Sequence, residues 1–197
     1  MMKKTTLLTT IALSLAASPA FAHLNPAEHG SFAAGFSHPL SGLDHILAMV
    51  AVGLWAAMLG GRALFVVPAA FVGVMLLGFV AGLYGMPLPF VEPMILASVV
   101  VLGLLVALAL RVPAAAGAII VGFFAFFHGH AHGAEIGAAA FASYAAGFAI
   151  STALLHGTGI LVGLGLGRLG ARDKALVAMR IAGGATALAG IARAITG

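Results

Sequence analysis

Residues 63–84, with the sequence ALFVVPAAFVGVMLLGFVAGLY, contain no charged side chain. An α-helix rises about 1.5 Å per residue, so this run can cross the roughly 30 Å of hydrocarbon in a lipid bilayer. In water the same helix would have no polar face to present to the solvent. The run therefore predicts a membrane-spanning helix.

The composition of the whole chain indicates the same environment. Of the 197 residues, 62% are hydrophobic and 7% are charged, and the mean hydropathy is +1.18. Soluble domains carry about 25% charged residues, because their surface must be wetted. We predict an all-α polytopic membrane helix bundle that has the lipid bilayer as a partner. The 27 glycines suit helices that pack closely in lipid. The sequence leaves open whether the protein forms a homo-oligomer.

The N-terminus has the pattern of a secretory signal peptide. Lys3 and Lys4 precede an apolar stretch, residues 7–17, which is too short to span, and residues 20–22 (AFA) offer a cleavage site. We predict that residues 1–22 are removed and that residues 23–197 form a single six-span domain. The predicted spans are 43–59, 63–84, 94–110, 112–132, 136–166 and 175–195. The fifth would be about 46 Å long as one helix, so it protrudes, bends at residues 157–159 or forms two half-spans.

The basic residues predict the orientation in the membrane. With an exported N-terminus, only Arg193 near the C-terminus falls on the periplasmic side of the predicted loops. The loop residues that fall on the cytoplasmic side are Arg62, Arg111, Arg168, Arg172 and Lys174. This bias obeys the positive-inside rule and predicts a bacterial inner-membrane protein with both termini periplasmic. The Lys and Arg residues are scattered singly, so the net charge of +4 does not indicate a nucleic-acid partner.

A histidine-rich motif, FHGHAHGAE at residues 127–135, ends the fourth predicted span. If the helix continues through it, His128, His132 and Glu135 lie within roughly 60° of one another on one face, and His130 points to the opposite side. Imidazole and carboxylate ligands suit nickel, cobalt or zinc. The glycines of the motif recur every four residues and would let a neighbouring helix approach closely. The alternative is a solvated loop without fixed partners.

A second motif, HPLSGLDH at residues 38–45, begins the first predicted span. In a continuous helix His38 and His45 share a face, and Met49 follows His45 by one turn. Asp44 lies on another face, from which it could orient an imidazole or meet the other motif. Alternatively, Ser41 and Asp44 form a capping box that only starts the helix.

Three further histidines are weaker metal candidates. His23 and His29 could capture a metal ion at the periplasmic surface, or they belong to an ordinary flexible terminus. His156, inside the fifth predicted span, could be a deeper stop on a metal pathway or a hydrogen-bonded structural residue. The chain has no cysteine, which excludes disulfides, zinc–thiolate sites and Cys-based copper(I) handling.

The sequence HPLSGLDH followed by ILAMVAVGLWA, together with FHGHAHGAE, resembles the HupE/UreJ family of nickel permeases over essentially the whole mature chain. The resemblance implies uptake of nickel(II), with cobalt(II) in some members, for hydrogenase or urease maturation. It also implies a set of metal-handling residues, namely His38, Asp44, His45, His128, His132 and Glu135.

We therefore expect a secondary permease that imports a divalent metal ion, nickel(II) or alternatively cobalt(II), and that is not an enzyme and needs no organic cofactor. No Walker-type nucleotide-binding segment occurs in the sequence. Two alternatives stay open: an intramembrane zinc-dependent hydrolase, and a membrane accessory protein of a nickel enzyme that does not itself transport.

Overall fold

The computed structural model describes residues 31–136, 141–169 and 172–196, although not the side chains of Glu135, Leu169 and Arg172. The predicted signal peptide, His23 and His29 lie outside the described residues. In the described part every regular element is an α-helix, which confirms the all-α prediction. The seven helices are α1 (Phe32–Ser41), α2 (Leu43–Leu59), α3 (Ala63–Leu83), α4 (Val91–Ala107), α5 (Ala114–Glu135), α6 (Phe141–Leu169) and α7 (Arg172–Thr196).

The lengths and composition of these helices are those of a membrane protein. Four of them, α3, α5, α6 and α7, are long and apolar enough to cross a bilayer. Helices α1 and α2, which are bent by 84° relative to each other, are together also long and apolar enough to cross a bilayer and give a fifth span. The shorter apolar helix α4, with 17 residues, would make a sixth, so the predicted number of about six is compatible with the fold.

Two features of the helices refine the sequence prediction. Helix α6 runs through residues 157–159 as one element, so the alternative of two half-spans is wrong. Helix α1 precedes the first predicted span and was not predicted as a separate element. Large apolar side chains such as Phe65, Ile119 and Leu161 are exposed, as expected of a bundle whose outer surface faces lipid.

Glycines bring the backbones of α3 and α5 into direct contact. A Cβ atom on Gly129 or Gly133 of α5 would overlap the carbonyl oxygen of Met75 or Phe79 on α3. In the reverse direction, a Cβ on Gly78 of α3 would overlap the carbonyl of Phe126 on α5. The close approach predicted from the four-residue glycine spacing is therefore confirmed, and it occurs beside His128 and His132.

The same device joins other helix pairs. Gly53 of α2 lies against the backbone carbonyl of His156 on α6, and Gly159 of α6 lies against that of Val50 on α2. Helix α1 packs on α6 through Gly35, which touches the backbone of Tyr144. These contacts pack α1 and α2 against α6, the helix that carries His156.

The glycine contacts generate a test of the packing. Gly129→Ala should lower the free energy of unfolding by about 1–3 kcal/mol, because the added methyl group meets the rigid backbone of α3. Gly73→Ala is the control, since Gly73 lies on α3 and a methyl group added there would have nothing within 4 Å. Unfolding by sodium dodecyl sulfate in mild detergent, followed through the Trp55 fluorescence, measures the difference. Equal stability of the two variants would contradict the proposed packing role.

Candidate metal centre

Three histidines from three helices converge at one end of the bundle. His38 of α1, His45 of α2 and His132 of α5 each offer one ring nitrogen, and these nitrogens lie within 4.8 Å of one another. The Nε2 atoms of His45 and His132 are 2.9 Å apart. His45 and His132 are buried, whereas His38 is partly exposed, so the cluster opens to its surroundings on the His38 side. We call these residues the three-histidine cluster.

The cluster depends on a sharp break between α1 and α2. Gly42 has an extended backbone (φ −101°, ψ 123°), and the two helix axes bend by 84° there. The prediction that His38 and His45 share a face of one continuous helix is therefore wrong. A Cβ on Gly42 would lie 2.6 Å from the Asp44 carboxylate and 3.0 Å from the His45 ring, which explains why the break falls on a glycine. The bend leaves the His38 and His45 ring centroids 5.8 Å apart.

The capping-box alternative for this motif is also wrong. The hydroxyl of Ser41 donates to the His38 carbonyl at 2.7 Å and not to the start of α2, which has no side-chain cap. Asp44 instead orients His45: its Oδ1 atom accepts from the His45 backbone N–H at 3.0 Å and lies 3.2 Å from Nδ1. A carboxylate can only accept, so Nδ1 of His45 carries the proton and Nε2 keeps its lone pair.

His128 lies on α5 one turn before His132 and is fully buried. Its ring centroid is 5.3 Å from that of His45, so it adjoins the three-histidine cluster without belonging to it. Its Nε2 atom lies 2.9 Å from the hydroxyl oxygen of Ser98, and the Ser98 hydroxyl donates to the Ile95 carbonyl at 2.6 Å. Because that hydroxyl has one proton, it accepts from Nε2–H of His128, and Nδ1 of His128 holds the lone pair.

The other predicted residues lie in different surroundings. His130 is buried away from the three-histidine cluster, and its Nε2 atom donates to the Met86 carbonyl at 2.6 Å, tying α5 to the loop after α3. Met49 is fully buried one turn beyond His45 on α2. Glu135 ends α5, as the continuous-helix prediction requires, but its side chain lies outside the described part of the structure. His156 is buried at the middle of α6.

Two contributors to the site were not predicted. Ser98, which fixes the proton on His128, is the one hydroxyl side chain in the apolar run 94–110, and that isolation was a usable signal. Phe71 contacts the rings of both His128 and His156, with centroids 5.8 Å and 5.0 Å away. Nothing distinguishes Phe71 from the other phenylalanines of the chain by sequence alone.

The fold and the site define a polytopic membrane protein with a largely buried cluster of three histidines that could hold a metal ion. The sequence profile of the HupE / UreJ protein family matches residues 11–193, and the chain belongs to that family. A similar relative is "Protein HupE" of Rhizobium leguminosarum bv. viciae, 48% identical over 192 residues that cover 97% of this chain and 98% of the relative. No solved structure matches the chain.

Family membership excludes one of the two alternatives that the sequence left open. HupE/UreJ proteins are membrane transporters or accessory proteins and not enzymes, so the prediction that this chain is not an enzyme is confirmed. The alternative of an intramembrane zinc-dependent hydrolase is therefore wrong. The question that stays open is whether the protein moves a metal ion itself or assists a nickel enzyme in another way.

The contact between Asp44 and His45 can be tested by metal binding. Asp44→Asn should weaken nickel(II) binding to the purified protein by about 10- to 100-fold, because a neutral amide orients His45 less firmly and makes its Nε2 less basic. Asp173→Asn, which removes an exposed carboxylate in the first turn of α7, should leave the affinity unchanged. Isothermal titration calorimetry measures both, and wild-type affinity in Asp44→Asn would refute the orienting role.

Proposed function

We propose that this protein is a secondary permease that imports nickel(II), or alternatively cobalt(II), from the periplasm into the cytoplasm for hydrogenase or urease maturation. It would lie in the bacterial inner membrane with both termini periplasmic, so that the three-histidine cluster faces the side from which the ion arrives. The observation that carries the proposal is the convergence of His38, His45 and His132 from three separate helices.

The spacing within the cluster suits a small divalent ion. Two nitrogens bound to a metal at about 2.0–2.1 Å and at right angles to each other are about 2.9 Å apart. The Nε2 atoms of His45 and His132 have that separation. Without a metal ion, the two Nε2 atoms share one proton in a hydrogen bond, and the incoming ion would displace that proton.

The ligand types favour the same group of metals. Imidazole nitrogens bind nickel, cobalt and zinc well, whereas magnesium and calcium prefer sets of oxygen ligands. The chain has no thiolate to hold copper(I). The resemblance of both motifs to nickel permeases points to nickel within this group, and cobalt is the nearest alternative.

Burial supports transport over simple capture at the surface. Ionisable side chains inside a membrane bundle are costly, and they usually mark ion or substrate pathways. In this bundle His45, His132 and His128 are all buried, and His38 is the partly exposed member of the cluster. An accessory protein that only presented nickel to a partner would have no use for ligands at that depth.

Uptake of radioactive nickel by cells that lack hydrogenase and urease tests the proposal. His45→Ala and His132→Ala should each reduce uptake at least tenfold, and the double variant should lose little more, because both residues hold the same ion. His130→Ala is the matched control, since it removes a buried histidine of α5 that binds the Met86 carbonyl instead.

All rates are normalised to the amount of protein in the membrane, which separates transport from folding. Wild-type uptake by the double variant would exclude the three-histidine cluster as the transport site. If wild-type cells without nickel enzymes take up no more nickel than cells without this protein, the accessory-protein alternative is correct instead.

A further inference from the structure

His156 has no hydrogen-bond partner for either ring nitrogen among the described residues, although it is only 1% exposed. Leaving a buried polar group unpaired is unfavourable, so such groups in native structures call for an explanation. His156 lies near the middle of α6, which runs from Phe141 to Leu169. Membrane transporters commonly hold their substrate sites at this depth.

His128 supplies a second unused lone pair in the same region. Its Nε2 proton is committed to the hydroxyl of Ser98, and its Nδ1 atom, which therefore carries the lone pair, is buried and has no partner in the described part of the chain. A neutral imidazole with its second nitrogen fixed in this way is the usual form of a metal-binding histidine.

One phenylalanine contacts both rings. The centroid of the Phe71 ring is 5.8 Å from that of His128 and 5.0 Å from that of His156. The His128 ring is also 5.3 Å from that of His45. The histidines thus form a series that leads from the three-histidine cluster to the middle of α6.

The helix geometry gives the depth of each member of the series. His128 precedes His132 by four residues, which is about 6 Å along α5. The carbonyl of His156 touches Gly53, which follows His45 by eight residues, or about 12 Å along α2. His128 therefore lies about one helical turn from the level of the three-histidine cluster, and His156 lies about two turns from it.

We propose that His128 and His156 form an inner binding site for the transported divalent cation, to which the three-histidine cluster passes the ion. The inner site would use the Nδ1 atom of His128 and one nitrogen of His156, and water would fill the other ligand positions. With two neutral imidazoles it binds more weakly than the cluster, as conduction requires, since an ion must also leave. This inference rests on the proposed function and extends it inward.

Cobalt(II) spectroscopy can detect the inner site without any transport. The chain has no cysteine, so in the purified variant His156→Cys a cobalt–thiolate charge-transfer band in the near ultraviolet can arise only at position 156. We expect the band on addition of cobalt(II). Thr186→Cys, at a buried position on α7, is the control and should give no band. A folded His156→Cys protein without the band would overturn the proposal.

Uptake of radioactive nickel provides the second measurement. Glutamine keeps hydrogen-bonding capacity but is a poor ligand, so His156→Gln should reduce uptake at least tenfold while the affinity of the purified protein for its first nickel ion stays at the wild-type value. If His156 were merely structural, glutamine would substitute for it and uptake would be preserved, which would overturn the inner site.

The two proposals fail in different ways. If wild-type protein carries no nickel, the proposed function is wrong, and the cobalt band at position 156 still decides whether a metal ion reaches the middle of the bundle. If wild-type protein transports nickel but His156→Gln does so at the same rate, only the inner site is refuted.

Discussion

Contact between helix backbones at glycines is the constraint on which this structure depends. In lipid, apolar side chains gain little by meeting one another, so helices associate where small residues let their backbones touch. The contacts at Gly129 and Gly133 on α5 adjoin His128 and His132 directly, and Gly53 on α2 holds the backbone of His156. The packing that joins the helices therefore also fixes the separations between the buried imidazoles.

Hydrogen bonds from polar neighbours fix the protonated nitrogen of the buried imidazoles. Asp44 holds the proton on Nδ1 of His45, and Ser98 holds the proton of His128 on Nε2, so each ring turns a defined lone pair to its surroundings. The break at Gly42 adds His38 from a separate helix at a steep angle. A divalent cation would thus meet ligands whose orientation is already set, which lowers the entropic penalty of binding it.

Sequence reasoning succeeded where a regular period carried the information. The apolar runs predicted the helices, and the continuous helix through residues 127–135 put His128 and His132 one turn apart. It failed at Gly42, because the prediction assumed one continuous helix through residues 38–45, whereas the chain bends there by 84°. It also did not foresee that Ser98 binds His128 or that Phe71 contacts His156, since these residues lie on different helices and their contacts depend on tertiary packing.

X-ray absorption spectroscopy of the purified protein with one equivalent of nickel(II) tests most directly whether the three-histidine cluster binds the ion. The spectrum should show nitrogen and oxygen ligands only, with the multiple scattering of about three imidazoles, and this signature should disappear in the variant His38→Ala, His45→Ala, His132→Ala. A spectrum without imidazole scattering in the wild type, or a wild-type spectrum in the triple variant, would mean that nickel binds elsewhere.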